Sequence, residues 1–460
     1  MKKRTLLVAL CYLIIAMFTG AGITGAQATP RIQFEKYVLP NGLEVILHED
    51  HSTPIVAVDT WYHVGSGDEQ LGRTGFAHLF EHIMFMGSQN VPVGAFDQML
   101  EAAGANNNGS TTEDRTNYYE TLPSNALQLA LWLDADRMGF LLPTMDLPKV
   151  NLQRDVVKNE RRQRVDNQPY GRADETILAA LYPKSHPYSW PVIGSMTDLS
   201  AASLADVQNF FKTYYAPNNA TLTIAGDFDP ATVKKMVAQY FGSIPRGPQV
   251  KRRTTVPAVV IPRDTFLVLE DKVQLPRLFY TWHSVKGFST DDAALDILAQ
   301  VLAGDKNSRL YKKLVYELQI AQNVSAFQDG SRLDGKFQID VTPKPGQKVA
   351  DIDRIVQTEI GNLISNGVMP RELQRAQNVY KASFLNRLAS VLGKAEVLNS
   401  YNYFVGNPDF VQQDAARYER VTATDVQRVA KTYLGRPKIV LTVVPEGKKE
   451  MMLTASGGGQ

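Results

Sequence analysis

The chain repeats itself at a fixed distance. Asp206-Val207-Gln208, Lys212-Thr213-Tyr214 and Leu222-Thr223 return as Asp425-Val426-Gln427, Lys431-Thr432-Tyr433 and Leu441-Thr442, each shifted by 219 positions without a gap. In both copies an amphipathic helical stretch leads into a short β-rich run. Solenoid repeats run to about 20–50 residues, so this period is too long for one. It describes two related domains, within a chain of 460 residues that has room for them. Each half opens on strand-like patterning, at residues 54–64 and, more loosely, at 265–282. A run rich in Thr and Tyr at 107–119 also reads as β. Helical patterns cover 124–140, 147–165, 291–303, 308–318, 352–364 and 370–403. Strands mixed with long helices predict an α+β fold with two homologous domains, each a mostly antiparallel sheet with packed helices. Four prolines and the run Lys251-Arg252-Arg253 mark the join. The expected organisation is a first domain at 29–248, a linker at 249–262, a second domain at 263–450 and a disordered tail at 451–460.

Net charge is +2, which gives no field for nucleic acid. The N-terminus reads as a secretory signal over 1–28. Lys2, Lys3 and Arg4 precede an apolar run at 6–18, and Ala26-Gln27-Ala28 supplies a small-x-small cleavage pattern. A retained anchor is the alternative, but the run is short for a bilayer. Periplasmic release or secretion is therefore expected, with no stable membrane insertion after the signal is removed. The single cysteine, Cys11, lies inside this segment, and Leu10 before it argues against a lipoprotein signal. The rest of the chain has no thiol to serve as nucleophile or metal ligand.

His78-Leu79-Phe80-Glu81-His82 carries the chemistry. Imidazoles four positions apart on a helix lie about one turn apart on one face, so both can reach one tetrahedral ion. The order His-x-x-Glu-His is that of the inverted zincins, with Glu81 placed to take a proton from a metal-bound water. Zinc lowers the pKa of such a water from ~16 toward ~7 and polarises the attacked carbonyl. Amide hydrolysis is the reaction class this implies. Two histidines leave a catalytic zinc short of its usual three protein ligands. None of the other five recommends itself. His48 and His51 lie in a polar turn, His63 precedes Gly65-Ser66-Gly67, His186 sits in a Pro-bracketed loop, and His283 is the sole histidine of the second half. A carboxylate is the better third ligand, and Glu160 is the best candidate. Periodicity alone reads it as a surface Glu beside Arg161 and Arg162.

At this point the sequence resembles the M16 peptidases, the pitrilysin, insulin-degrading enzyme and mitochondrial processing peptidase family, in its short two-domain form. The resemblance rests on the 78–82 motif, Leu39-Pro40-Asn41-Gly42-Leu43, Gly65-Ser66-Gly67-Asp68-Glu69 and Gly104-Ala105. It rests also on Asn108, Thr111, Asp114, Thr116 and Tyr118, on Val157-Lys158-Asn159-Glu160-Arg161-Arg162 and on His186-Pro187-Tyr188. It implies that Glu160 is the third ligand of one zinc per chain. It implies that Asn108, with Gly109 beside it, lies on the strand that receives a peptide substrate as an added β-strand. It also implies that the chain forms half of a clamshell, whose closed chamber admits unstructured peptides.

Two departures stand out. Many members carry a second carboxylate seven positions before the third ligand, where this chain has Gln153. A neutral amide there could still hydrogen-bond behind the ligands, without adding charge. Active members also use an Arg and a Tyr from the second domain. Val315 and Gln322 stand at those places in Leu314-Val315-Tyr316-Glu317-Leu318-Gln319-Ile320-Ala321-Gln322. Arg309 and Tyr316 have the same spacing, but Ser308-Arg309-Leu310 matches a separate motif. The expectation is a zinc endopeptidase subunit completed by a second M16-like chain that supplies the Arg and Tyr. The alternatives are a non-catalytic structural subunit and a peptide-binding module that keeps zinc without turnover.

Overall fold

The computed structural model describes residues 31–455. The expected signal segment at 1–28 and the last five residues lie outside them. The body that begins at Ile32 holds two sheets. Strands β1 (Glu35–Val38), β2 (Glu44–Glu49), β3 (Ile55–Tyr62), β4 (Asn106–Thr111), β5 (Thr116–Pro123) and β6 (Ala220–Gly226) form the first, in the order β1-β2-β6-β3-β5-β4. Strands β7 (Thr265–Asp271), β8 (Arg277–His283), β9 (Ala321–Gly330), β10 (Gly335–Pro343) and β11 (Ile439–Pro445) form the second, in the order β7-β11-β8-β10-β9. Each sheet has one parallel pair, β2 with β6 and β7 with β11, and is otherwise antiparallel. Removing β1 makes the two orders identical, with β6 answering to β11 at the spacing of the sequence repeat. The fold is α+β, with two homologous halves.

The first half carries helices α1 (Phe76–Ile83), α2 (Ala95–Ala102), α3 (Leu127–Phe140), α4 (Leu147–Arg161), α5 (Ala173–Leu181), α6 (Met196–Ala201), α7 (Leu204–Tyr214) and α8 (Pro230–Phe241). The second carries α9 (Asp292–Ala303), α10 (Val349–Asn366), α11 (Pro370–Arg387), α12 (Val391–Val405), α13 (Val411–Glu419) and α14 (Ala423–Val429). The helical pattern at 370–403 is two helices. Ser390 breaks it, its hydroxyl accepting from the Gly393 N–H at 3.0 Å to cap α12. The pattern at 265–282 is likewise two strands, β7 and β8. The chain stays ordered past 451, because Leu453 is buried in the second core and its N–H donates to Thr442 Oγ1 at 3.1 Å. The expected disorder of the tail therefore does not begin at 451.

The halves exchange helices. On the first sheet, Ala57 of β3 and Ala225 of β6 pack against Val391 and Ala395 of α12, a second-half helix. On the second sheet, Phe279, Leu441 and Val443 pack against Ala173 and Ile177 of α5, a first-half helix. Small residues on β3 and β6 let α12 approach closely. Asn399 then pins it: its Nδ2 donates to Asp59 Oδ2 at 2.8 Å, and its Oδ1 accepts from Thr223 Oγ1 at 2.7 Å. These strands are thus covered on both faces, which is why β3 and β6 are buried almost end to end.

Helix α1 depends on this packing. At eight residues it is too short to be stable alone. Phe76, Leu79, Phe80 and Ile83 form one stripe sunk in the first core. Full burial of four such side chains contributes roughly 6–12 kcal/mol before entropy. That term fixes the helix's rotation and leaves His78, Glu81 and His82 on the opposite face.

Candidate metal centre

The start of α1 is held by a buried acid. Glu69 Oε2 accepts from the Gly75 N–H at 3.0 Å and from Trp190 Nε1 at 3.1 Å, while Oε1 accepts from the Ala77 N–H at 2.8 Å. These bonds satisfy N–H groups that a helix start leaves unpaired. Burial pushes the Glu69 carboxyl up to about 8, against the pull of these donors. Gly75 and Gly194 meet back to back. Both have positive φ (88° and 71°), and a Cβ on Gly194 would stand 2.4 Å from Gly75 Cα. The Gly194 carbonyl accepts from Arg161 Nη1 at 2.8 Å, and Arg161 Nη2 reaches Glu175 at 2.7 Å. Arg161 ends α4, so the helix carrying Glu160 is tied through one glycine contact to the helix carrying the histidines.

The two helices bring three donor atoms together. Glu160 Oε2 lies 3.1 Å from His82 Nε2 and 3.5 Å from His78 Nε2. Ligand atoms sharing a tetrahedral zinc at about 2.0–2.2 Å stand about 3.3–3.6 Å apart, so the spacing suits that ion. Glu160 Oε2 is also buried without a hydrogen-bond donor, as a ligand oxygen awaiting a cation would be. The two imidazoles lower the Glu160 carboxyl pKa, chiefly through the His82 contact. Burial, with His82 nearby, lowers His78 to about 4, so its ring is neutral and free to ligate at neutral pH. Among the described residues, this is the one group of three His, Cys, Asp or Glu side chains so arranged. The remaining histidines are engaged elsewhere: His48 with the Gln33 carbonyl, His51 with Asp227, His63 with Thr221, and both His186 and His283 with Asp334.

Glu81 lies beside these atoms in a cleft of about 800 Å³. Its Oε2 accepts from Thr111 Oγ1 at 2.6 Å. Burial raises the Glu81 pKa, while the Thr111 bond opposes the rise. Gly109 makes room for it, since a Cβ there would stand 3.0 Å from Glu81 Cγ. Asn108 is exposed and, by the two-residue period of a strand, on the other face of β4. Its Oδ1 accepts from the Gly109 N–H at 2.9 Å. Among the described residues strand β4 pairs only with β5, which leaves its second edge without a strand partner. Thr112 N donates to the Arg115 carbonyl at 2.9 Å, which fixes the alternation: the N–H and C=O groups of Asn107, Gly109 and Thr111 face that edge.

Gln153 does not stand behind the ligands. Its amide nitrogen is turned to the Met86 sulfur. Helices α1 and α4 run antiparallel, so two turns back from Glu160 the neighbour is Met86, one turn past His82. In the second half, Val315 is partly buried against the core and Gln322 is exposed. Arg309 is occupied, forked onto Glu372 at 2.7 Å with both Nε and Nη2, while Tyr316 is 74% exposed. Two residues of the site had no assigned role in the sequence, Thr111 and Arg164. The i,i+4 spacing of Glu160 and Arg164 was the available signal for the second.

Residues 44–192 match the family model described as Insulinase (Peptidase family M16), and residues 201–380 match the Peptidase M16 inactive domain. The chain belongs to peptidase family M16. It is similar to the zinc protease PqqE of Helicobacter pylori, with 28% identity over 430 residues, covering 91% of this chain and 94% of that protein. An uncharacterised zinc protease of Mycobacterium leprae is 27% identical over 414 residues, covering 86% and 89%. Among solved structures, a protease from Helicobacter pylori superposes with a TM-score of 0.82 at 25% identity, over 90% of this chain and all (100%) of that one. An M16 inactive-domain protein from Pseudomonas fluorescens superposes at 0.80 with 18% identity, over 90% and 98%. That second likeness concerns the fold alone. The inactive-domain match falls largely on the M16 half whose described residues hold no such ligand group.

Proposed function

We propose that this chain is the catalytic subunit of a zinc-dependent endopeptidase that cleaves unstructured peptides. The convergence of His78, His82 and Glu160 with Glu81 alongside carries the reading. One zinc per chain would sit between the three, supplying a Lewis acid and a water of lowered pKa. Glu81 takes the proton of the attacking water and passes it to the leaving amine. Thr111 holds one Glu81 oxygen, leaving the other for the proton. The peptide lies along the free edge of β4, hydrogen-bonded to the Asn107 and Thr111 main chain and to the Gly109 carbonyl, while Asn108 on the same strand holds the Gly109 N–H. Gly109 keeps the strand close to Glu81.

A second M16-like chain completes the enzyme and supplies the Arg and Tyr. This is supported by Val315 and Gln322, and by Arg309 being held on Glu372. The N-terminal pattern supports export to the periplasm or beyond, with the first domain over 29–248 and the second over 263–450. No helix among the described residues is long and apolar enough to cross a membrane. A structural, non-catalytic subunit is the second reading, favoured by those same second-half substitutions. Zinc analysis and a peptide assay decide between them. The peptidase reading expects one zinc per chain, lost in His78→Ala, and hydrolysis lost in Glu81→Gln. A chain that binds no zinc, or a Glu81→Gln variant with unchanged activity, sinks it. Full turnover by the chain alone refutes the need for a partner.

A further inference from the structure

The cleft holds one side chain that neither ligates nor moves a proton. After α4 the backbone widens into a π-helical turn, Arg162–Asp166, which places Arg164 one turn beyond Glu160 and in the cleft wall. Its Nη1 lies 3.0 Å from Glu160 Oε1, the oxygen that does not face the histidines. Arg164 is 77% exposed against 16% for Glu160, so its other N–H groups open to solvent in the cleft. Among the described lining residues it is the one Lys or Arg.

Two consequences follow from the chemistry. Held through Oε1, Glu160 is kept as a one-oxygen ligand, with Oε2 directed at the imidazoles. The guanidinium is meanwhile fixed at one corner and leaves a planar fork of donors in the cleft that Asn108, Gly109, Ser110 and Thr111 of β4 also line. A peptide on that edge turns every second carbonyl away from β4, and those carbonyls lack a main-chain partner. A weakly hydrated, permanently charged fork is suited to accept one of them. We infer that Arg164 is a substrate-binding residue, donating to a main-chain carbonyl of the bound peptide next to the metal centre.

This inference rests on the peptidase reading, and its test separates the two. The full chain carrying Glu81→Gln, loaded with zinc, is titrated with a fluorescent unstructured peptide lacking Asp and Glu, and binding is read by anisotropy. Zinc affinity is measured in parallel by competition with a chromophoric chelator. Adding Arg164→Gln is expected to weaken peptide binding roughly 10- to 100-fold, the range for a hydrogen bond to a charged group. Arg164→Lys, which keeps the charge but loses the fork, recovers part of it. Zinc affinity falls by no more than about 10-fold in both, the lower end for a support that touches Glu160 only through the oxygen turned from the histidines. Peptide affinity within twofold of the parent overturns the inference. So does a loss confined to zinc affinity, or an effect seen only with acidic peptides. A Glu81→Gln parent that binds neither zinc nor peptide overturns the peptidase reading itself, and the inference with it.

Discussion

The contact between Gly75 and Gly194 makes a sharp prediction about a residue that touches no ligand. Gly194→Ala faces two costs. At φ 71° an alanine is strained, by roughly 1–2 kcal/mol for a left-handed residue. Its Cβ would also stand 2.4 Å from Gly75 Cα, backbone against backbone, with no flexible tip to yield. Relieving such an overlap costs about 1–3 kcal/mol, so the total is roughly 2–5 kcal/mol. Gly72→Ala isolates the first cost, because Gly72 has φ 83° and nothing within 4 Å of a built Cβ. Thermal unfolding of the metal-free proteins should place Gly194→Ala well below Gly72→Ala. The relief has a direction as well as a size. Gly75 begins α1, and the Gly194 carbonyl holds Arg161 at the end of α4. Separating the glycines therefore separates His78 and His82 from Glu160, and zinc affinity should fall about 10- to 100-fold, as when outer supports of a metal site are lost. Gly72→Ala should leave zinc affinity unchanged. If Gly194→Ala melts with Gly72→Ala and binds zinc like the parent, the two helices are not registered through this contact.

Further outcomes follow from the same geometry. Glu81→Gln should retain zinc and lose about 10²- to 10⁴-fold in kcat, measured with a fluorogenic peptide and the completing partner present. Glu160→Gln should lower zinc affinity by more than about 100-fold in chelator competition, since a ligand weighs more than its supports. Thr111→Val removes the bond that holds the Glu81 pKa down, and Glu81 must be ionised to act as base. The acid limb of kcat/KM should therefore move to higher pH, and an unmoved limb refutes the role given to Thr111. Asn399→Ala leaves Asp59 and Thr223 short of partners in a buried interface and should cost about 1–3 kcal/mol in urea unfolding.

Much of this is legible in the sequence. The 219-residue repeat places β6 and β11 in register, and the apolar spacing of Phe76, Leu79, Phe80 and Ile83 rotates α1 so that its histidines face the cleft. Both are read from short runs of sequence, the repeat by comparing two such runs and the helix stripe from one. The features that were not legible join distant segments. Nothing near Ala57 or Ala225 announces that α12 lies against them, because a small residue in a strand is equally consistent with a loose core. Ser390 was hidden in a pattern whose apolar period resumes on its far side. Gln153 shows the limit of helical arithmetic: two turns keep a residue on one face, but the opposing helix decides what that face meets, and there it is Met86.

The two halves show how little of the architecture is chemistry. The pairing of α1 with α4 beside edge strand β4 has its counterpart in α9, α11 and edge strand β9. In the second half two acids of α9, Asp292 and Asp296, line the neighbouring cavity; Asp292 accepts from Arg417 Nη2 at 2.9 Å, and Asp296 accepts from Tyr418 Oη at 2.6 Å and is pushed up to about 7 by burial. Asp296 has a tyrosine hydroxyl for company in place of two imidazoles, and among the described residues no group of three ligand side chains forms around it. The sheet order survives this change because it is fixed by apolar burial, which does not depend on the polar residues of the opposite face. The helix exchange adds a reason for both halves to persist. Without the second half and its α12, Ala57, Ala225 and the Asp59 carboxyl would be uncovered on the sheet that carries the candidate cleft. The second half therefore supports by packing the sheet that borders the candidate metal site, even though its described residues hold no such group of their own.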